Sequence, residues 1–248
     1  MTNRTPLVLL PGMMCDARLF APQMAGLANR SVTLGTVAGA DSVPGIAEEV
    51  LAAAPARFAL AGLSMGGIVA MEMMAQAPER IAGLCLMDTN PLAETEAVAA
   101  RRAPQIESVQ AGGLRAVMRD EMKPNYLADG PNRGAILDLC MTMAEGLGPE
   151  VFVAQSRALQ TRLDRCETLR GVAVPSLVLC GEDDALCPLK RHTLMHELIP
   201  DSRLVVIAGA GHLPTLEQPE AVDAALTEWL RAVDAGEGGH GDAHPTDG

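Results

Sequence analysis

Short apolar runs bounded by glycine or proline alternate along the chain with longer segments whose apolar residues recur at helical spacing. This alternation is typical of strand–helix–strand units and predicts a parallel sheet with helices on both faces. The six predicted strands are Leu7–Leu10, Ser31–Leu34, Phe58–Ala61, Ala82–Met87, Ser176–Cys180 and Leu204–Ile207. The predicted helices are Ile46–Ala53, Gly66–Gln76, Leu189–Leu198 and a last helix after Pro219 with the apolar stripe Val222, Leu226, Trp229, Leu230 and Val233.

The region from about residue 91 to residue 169 departs from this alternation, because its pattern is helical and contains no convincing strand. Two apolar stripes at helical spacing occur there: Leu114, Val117, Met118 and Met122, and Ile136, Leu137, Cys140 and Met143. We therefore predict a helical cap inserted into an α/β domain that spans residues 1–234. Residues 235–248 are glycine-rich and lack an apolar anchor, so they are predicted to form a disordered tail.

Composition narrows the classes of partner. The 248 residues suffice for one large α/β domain, and 48% hydrophobic residues indicate a substantial core. A net charge of −12 disfavours nucleic acid and anionic membrane surfaces. No apolar run approaches the roughly 18 residues of a membrane span, and no signal-peptide core is evident. The expected partner is a small neutral or apolar substrate, and the expected location is the cytoplasm, where the six cysteines remain thiols.

The strongest chemical signal is Gly62-Leu63-Ser64-Met65-Gly66, which lies between a predicted strand and a predicted helix. A serine on such a tight turn needs small residues two positions to either side. The competing interpretation is an ordinary serine at the start of a glycine-flanked helix. We predict that Ser64 is a nucleophile and that the N–H of Met65 stabilises the negative charge that develops during attack.

A serine nucleophile requires a base, and histidine is the usual one. His212 lies in a glycine-containing loop directly after the last predicted strand, where strand ends bring active-site groups together. His192 and His196 lie within a predicted helix and are expected to face solvent, while His240 and His244 lie in the predicted tail. We therefore predict His212 as the general base.

The third group must be a carboxylate that orients the imidazole. Three acidic residues, Glu182, Asp183 and Asp184, follow the strand that ends at Cys180, and Asp88 follows another strand and is the runner-up. A carboxylate in the loop after Cys180 gives the chain order serine, acid, histidine, which also occurs in α/β hydrolases.

With these motifs the chain resembles the α/β-hydrolase family over about 230 residues. The resemblance implies that Asp184 is the acid, because the family spaces a glycine, the aspartate and a proline as Gly181, Asp184 and Pro188 are spaced here. It also implies a second oxyanion donor at Met13, with Met14 as a substitute, although Pro11 replaces the family's histidine in that loop. The resemblance further implies that the family's first two strands are absent here, because the sequence starts almost at the third.

The resemblance implies a serine hydrolase that cleaves an ester of a small, largely apolar substrate without cofactor or metal. Arg101 and Arg102 could bind an anionic substrate, but a solvated surface is the expectation. The same triad resembles those of lyases, perhydrolases and enzymes that cleave carbon–carbon bonds, so the fold alone does not specify the substrate. A ligand-sensing protein with incidental turnover is a further alternative.

Overall fold

Six strands form one sheet in which every neighbouring pair is parallel. The computed structural model describes residues 4–238, and its strands are β1 (Leu7–Leu10), β2 (Val32–Leu34), β3 (Phe58–Leu63), β4 (Ile81–Met87), β5 (Ser176–Gly181) and β6 (Arg203–Ile207). Their order across the sheet is β2-β1-β3-β4-β5-β6. All six predicted strands are present, and each end lies within two residues of its prediction.

Nine α-helices connect or follow these strands: α1 (Val43–Ala53), α2 (Met65–Gln76), α3 (Glu96–Ser108), α4 (Leu114–Ala116), α5 (Arg133–Gln160), α6 (Cys166–Arg170), α7 (Leu189–Leu198), α8 (Pro214–Glu217) and α9 (Pro219–Gly238), counted over the described residues 4–238. Helix α1 starts three residues before its predicted start. Ser42 explains the difference, because its side chain accepts a hydrogen bond from the N–H of Gly45 at 3.3 Å and so caps the helix.

The core has two parts, one on each face of the sheet. Successive strand residues point to opposite faces, so Val8 and Leu10 of β1 pack in one cluster while Leu7 and Leu9 pack in the other. All four are fully buried, which explains why the strand reads as an unbroken apolar run. The predicted stripe of α9 is also buried, in the same cluster as Leu7 and Leu9.

A helical insertion, residues 88–175, lies between β4 and β5, and none of these residues belongs to a strand. It contains α3 to α6 together with short π-helical and 3-10 turns. Helix α5 is broken at Gly148, whose φ of 84° is outside the helical range, and Pro149 starts the second half. The prediction of an all-helical region is confirmed, and the break inside α5 is an added feature.

Two polar side chains of the insertion, Gln155 and Arg165, help to fasten it to the sheet domain. The buried Gln155 accepts a hydrogen bond from the N–H of Met14 at 2.9 Å and donates to the carbonyl of Val37 at 3.1 Å. Arg165 forms an ion pair with Glu72 of α2, with its Nε 2.8 Å from Glu72 Oε2. The insertion is therefore held at both the β1 loop and α2.

The predicted tail needs a correction at its start, because α9 continues through Gly238 and residues 235–238 are helical. A helix that is already anchored by its packed stripe gains one backbone hydrogen bond for each further residue, so it propagates into this glycine-rich stretch. Residues 239–248, with His240 and His244, lie outside the described residues. Within residues 4–238, no helix combines the length and apolarity that a bilayer crossing requires. The cytoplasmic location stays a prediction.

The prediction that His192 faces solvent is wrong. His192, Met195 and Ile199 lie on one face of the segment formed by α7 and the residue after it, and all three are buried. Nε2 of His192 accepts a hydrogen bond from the N–H of Thr89 at 3.1 Å. Burial lowers the pKa of His192 to about 4. His196, in contrast, is half-buried, with Nδ1 2.9 Å from Ser202 Oγ.

Acid should destabilise the fold through His192. Between pH 6.5 and about 4 the unfolded chain binds a proton at this residue that the folded chain does not, so the free energy of unfolding falls as pH falls through this range. The shift corresponds to about 3 kcal/mol. Urea unfolding at pH 7 and pH 4 should show that loss in the wild type but not in His192→Gln. The control His196→Gln should behave as the wild type, and equal losses in all three proteins would contradict the assignment.

Candidate active site

Three of the side chains predicted from sequence meet at the carboxyl edge of the sheet. Ser64 follows β3, Asp184 follows β5, and His212 follows β6. Nε2 of His212 lies 2.9 Å from Ser64 Oγ, and Nδ1 of His212 lies 2.9 Å from Asp184 Oδ2. The hydroxyl, imidazole and carboxylate thus form one continuous chain of hydrogen bonds.

The turn between β3 and α2 holds Ser64 in an unusual conformation, with φ 54° and ψ −115°. Its main-chain carbonyl accepts a hydrogen bond from Thr89 Oγ1 at 2.7 Å, and His192 in turn accepts from the N–H of Thr89. A β-carbon on Gly62 would collide with the carbonyl of Gly66, and one on Gly66 would collide with that of Leu10. The two glycines are therefore required because the chain segments pack backbone against backbone.

The loop that carries His212 is fixed on both sides. The carboxylate of Glu217 accepts hydrogen bonds from the N–H groups of Gly211 and Leu213, each at 3.0 Å. The N–H of His212 itself donates to the carbonyl of Tyr126, in the insertion, at 2.7 Å. Glu217 also accepts from the N–H of Ala128 at 2.8 Å. His212 is thus positioned jointly by α8 and by the insertion.

Asp184 is held in its ionised form. Burial favours the neutral carboxyl and would raise the pKa of Asp184, but His212 and the N–H groups of Cys187 and Leu186 outweigh burial and lower it. Both N–H groups donate to Oδ1, at 2.9 Å and 2.8 Å. An ionised Asp184 is what the imidazole needs to keep its proton on Nδ1.

The alternative carboxylates occupy different environments. Glu182 and Asp183 are exposed. Asp88 is buried, and burial together with the charge of Asp184 raises its pKa. Its Oδ1 accepts a hydrogen bond from the N–H of Gly181 at 2.8 Å, while no residue in the range 4–238 satisfies Oδ2. These surroundings favour the neutral form of Asp88, and it is Asp184, not Asp88, that contacts the histidine.

The predicted oxyanion donors flank the serine. Met65 is the first residue of α2, so its N–H lacks an acceptor within the helix. Met13 follows Gly12, and a β-carbon built on Gly12 would lie 3.4 Å from Ser64 Cβ. The N–H of Met14 is already bonded to Gln155, which removes it as a substitute. Oxyanion binding by Met13 and Met65 stays a prediction.

The hydroxyl of Ser64 opens into a cavity of about 560 Å³, a size typical of small-molecule sites. One wall comes from the sheet domain and includes Met13, Met65 and Ile68, and the other comes from the insertion. Charged side chains also line the cavity, among them Arg102 and Arg162, which are paired with Glu94. Arg102 is thus not the solvated surface residue that was expected.

Among residues 4–238, one set of side chains could hold a metal ion. Ligand atoms of Asp184, Cys187 and His212 lie within 4.8 Å of one another. Burial raises the pKa of the Cys187 thiol, which disfavours the thiolate that metals bind, and His212 Nδ1 is already engaged with Asp184. The arrangement suits proton transfer better than metal coordination.

Sequence reasoning missed the residues that position the triad. Glu217 lies five residues after His212 in the first turn of α8, and an acidic residue beside Pro214 is the ordinary signature of a helix start. The position alone does not reveal that its carboxylate turns back to the loop. The burial of Gln155 and His192 likewise depends on contacts that are remote in sequence.

Comparisons with known proteins place this geometry in context. A family model described as the alpha/beta hydrolase family matches residues 7–225. The pimeloyl-[acyl-carrier protein] methyl ester esterase of Aeromonas hydrophila subsp. hydrophila is 28% identical over 184 residues, covering 72% of each protein. A thermophilic esterase from Thermogutta terrifontis, solved with malate bound, gives a TM-score of 0.85 at 29% identity over 93% of this chain and 90% of that one. The enol-lactonase from Burkholderia xenovorans LB400 shares the fold, with a TM-score of 0.81 at 20% identity over 92% of each chain.

Adding a methyl group at the turn should destabilise the fold. Gly66→Ala places a β-carbon against the carbonyl of Leu10, and we expect the free energy of unfolding in urea to fall by about 3 kcal/mol. Gly134→Ala is the matched control, since its β-carbon would meet no atom within 4 Å, and it should leave stability unchanged or slightly higher. A tolerated Gly66→Ala would show that this turn is not tightly packed.

The two buried aspartates should respond differently to amide substitution. Asp184→Asn removes the charge that orients His212 and should lower the kcat for a p-nitrophenyl ester by about 10⁴-fold. Asp88→Asn puts a neutral amide where burial already favours the neutral carboxyl, at a residue that does not contact His212, and should change kcat by less than about tenfold. The reverse order of effects would identify Asp88 as the acid of the triad.

Proposed function

We propose that this chain, which belongs to the alpha/beta hydrolase family, hydrolyses a carboxylic ester through an acyl-enzyme formed on Ser64. The observation that carries the proposal is the pair of 2.9 Å contacts that links Ser64 to His212 and His212 to Asp184. Relatives named as esterases support the choice of an ester among acyl compounds.

The first half of the reaction transfers the acyl group to the protein. Ser64 Oγ attacks the ester carbonyl while His212 Nε2 takes the hydroxyl proton, and Asp184 stabilises the resulting imidazolium. His212 then returns the proton to the departing alkoxide. In the second half, His212 takes a proton from a water molecule, whose oxygen attacks the acyl-enzyme carbonyl. The bond to Ser64 Oγ then breaks, His212 returns the proton to Ser64 Oγ, and the carboxylic acid leaves.

The negative oxygen of each tetrahedral intermediate needs fixed donors. We assign this role to the N–H groups of Met65 and Met13, which flank Ser64. A single donor of this kind contributes about 2.7–4 kcal/mol where it has been measured. Apart from the attacking water, every group in the proposed reaction belongs to the chain itself, so the reaction requires no cofactor or metal.

The cavity supports a small substrate with an aliphatic portion. Met13, Met65 and Ile68 line it together with Leu63 and Leu213. Thioether and aliphatic side chains adapt to chains of different shape more readily than aromatic ones do. We therefore propose a short or medium aliphatic group next to the scissile bond.

Replacing the nucleophile tests the proposal. Ser64→Ala should lower kcat for p-nitrophenyl butyrate by about 10⁵-fold or more, since it removes the attacking oxygen. The wild type should show steady turnover, and protein quenched during turnover should carry one butyryl group on the peptide that contains Ser64. Ser176→Ala, at the opposite end of the sheet, is the matched control and should retain activity.

Two outcomes would contradict the proposal. Steady hydrolysis that survives in Ser64→Ala would place the chemistry elsewhere. A single turnover followed by tight retention of the product would indicate the ligand-sensing alternative.

A further inference from the structure

The cavity beside Ser64 is positively charged although the chain is acidic. The chain has 31 acidic and 19 basic residues. The cavity, however, is lined by five basic and only two acidic side chains: Arg101, Arg102, Arg162, Lys190 and Arg191 against Glu94 and Glu121. Clefts that concentrate one sign of charge attract and orient ligands of the other sign.

The innermost of these charges form a desolvated group with one cation in excess. Glu94 is 1% exposed and binds two guanidinium groups. Arg102 contacts it twice, at 2.5 Å and 2.8 Å, and Arg162 contacts it at 2.6 Å. Their side chains are only 12% and 10% exposed, so water compensates the extra positive charge poorly.

Arg102 has a donor that is not well satisfied. Its Nε and Nη2 bond to Glu94, but the acceptor at Nη1 is the thioether of Met13, at 3.9 Å. A thioether is a weak acceptor. Arg102, Met13 and Ser64 line the same cavity, so this donor faces the space that a substrate bound at Ser64 would occupy.

The remaining cations are available at the rim. Arg101 and Lys190 are exposed and Arg191 is half-buried. Within residues 4–238 no carboxylate forms an ion pair with any of the three. Arg162 and Arg191 line the same cavity as Ser64, so cations extend from the rim to the buried group formed by Arg102, Glu94 and Arg162.

We propose that these side chains form an anion-binding subsite, and that the substrate is an ester that also carries a carboxylate. This inference rests on the proposed ester hydrolysis and names its substrate class. Arg102 already donates to Glu94 through Nε and Nη2, and Arg162 donates to the carbonyl of Leu92 through Nε and to Glu94 through Nη1. A substrate carboxylate would therefore accept one charge-assisted hydrogen bond from Arg102 Nη1 and one from Arg162 Nη2. The aliphatic side chains around Ser64 suit the chain between the ester and the carboxylate.

The first test compares two esters of equal length. Mono-p-nitrophenyl adipate carries a carboxylate, and p-nitrophenyl hexanoate is its neutral counterpart. We expect kcat/KM for the adipate to be about tenfold higher or more, the size of one charge-assisted hydrogen bond. The preference should shrink as sodium chloride rises, because salt screens the rim cations. Equal kcat/KM values for the two esters would overturn the inference.

Two variants of the same network should shift the preference in opposite directions. Arg162→Gln removes the excess cation and leaves the Arg102–Glu94 pair. The ratio of kcat/KM for the adipate to kcat/KM for the hexanoate should therefore fall toward one. Glu94→Gln removes the neutralising carboxylate, so the preference should rise. Arg115→Gln, an exposed arginine of the insertion that pairs with Glu145 outside the cavity, is the control and should preserve it. A fall in both Glu94→Gln and Arg162→Gln would overturn the inference.

A binding measurement separates this inference from the proposed reaction. Calorimetry with Ser64→Ala should show about tenfold tighter binding of monomethyl adipate than of dimethyl adipate. If the wild type hydrolyses neither p-nitrophenyl ester but Ser64→Ala shows this difference in binding, the anion subsite stands and the proposed hydrolysis fails. If p-nitrophenyl hexanoate is hydrolysed through Ser64 but the two adipates bind alike, the hydrolysis stands and the subsite fails.

Discussion

All six strands of the sheet run in the same direction, and the site depends on that constraint. Parallel strands bring their carboxyl ends to one edge, so residues far apart in sequence are delivered to one place. Ser64, Asp88, Asp184 and His212 each follow a different strand of the neighbouring set β3 to β6. The strands and helices behind them need only supply burial, which they do with two apolar layers.

The sequence was sufficient for the features that depend on local pattern. The four inner strands, β1, β3, β4 and β5, are recognisable because they are buried on both faces. The turn at Ser64 is recognisable because its glycines are indispensable to backbone packing. The histidine and acid could be selected because each lies in a loop directly after a strand. The catalytic roles of these residues stay predictions until activity is measured.

The features that could not be predicted depend on side chains that meet only in the folded chain. The spacing of His192, Met195 and Ile199 was a usable sign of a buried helix face, but histidine is usually assigned to the surface. Nothing local shows that Gln155 reaches the loop of Met14 or that Glu217 binds the loop of His212. The net negative charge of the chain did not predict the positively charged lining of the cavity, because a sum over all residues says nothing about where the charges lie.

The hydrogen bond between the N–H of His212 and the carbonyl of Tyr126 joins the insertion to the general base. Displacement of the main chain at residue 126 would shift the imidazole relative to the serine oxygen. Evolution or engineering can therefore remodel the insertion for new substrates more freely in α3 and α5 than around this carbonyl. An insertion transplanted from a relative would have to bring an equivalent acceptor to the same point, or the recipient would lose the alignment of its base.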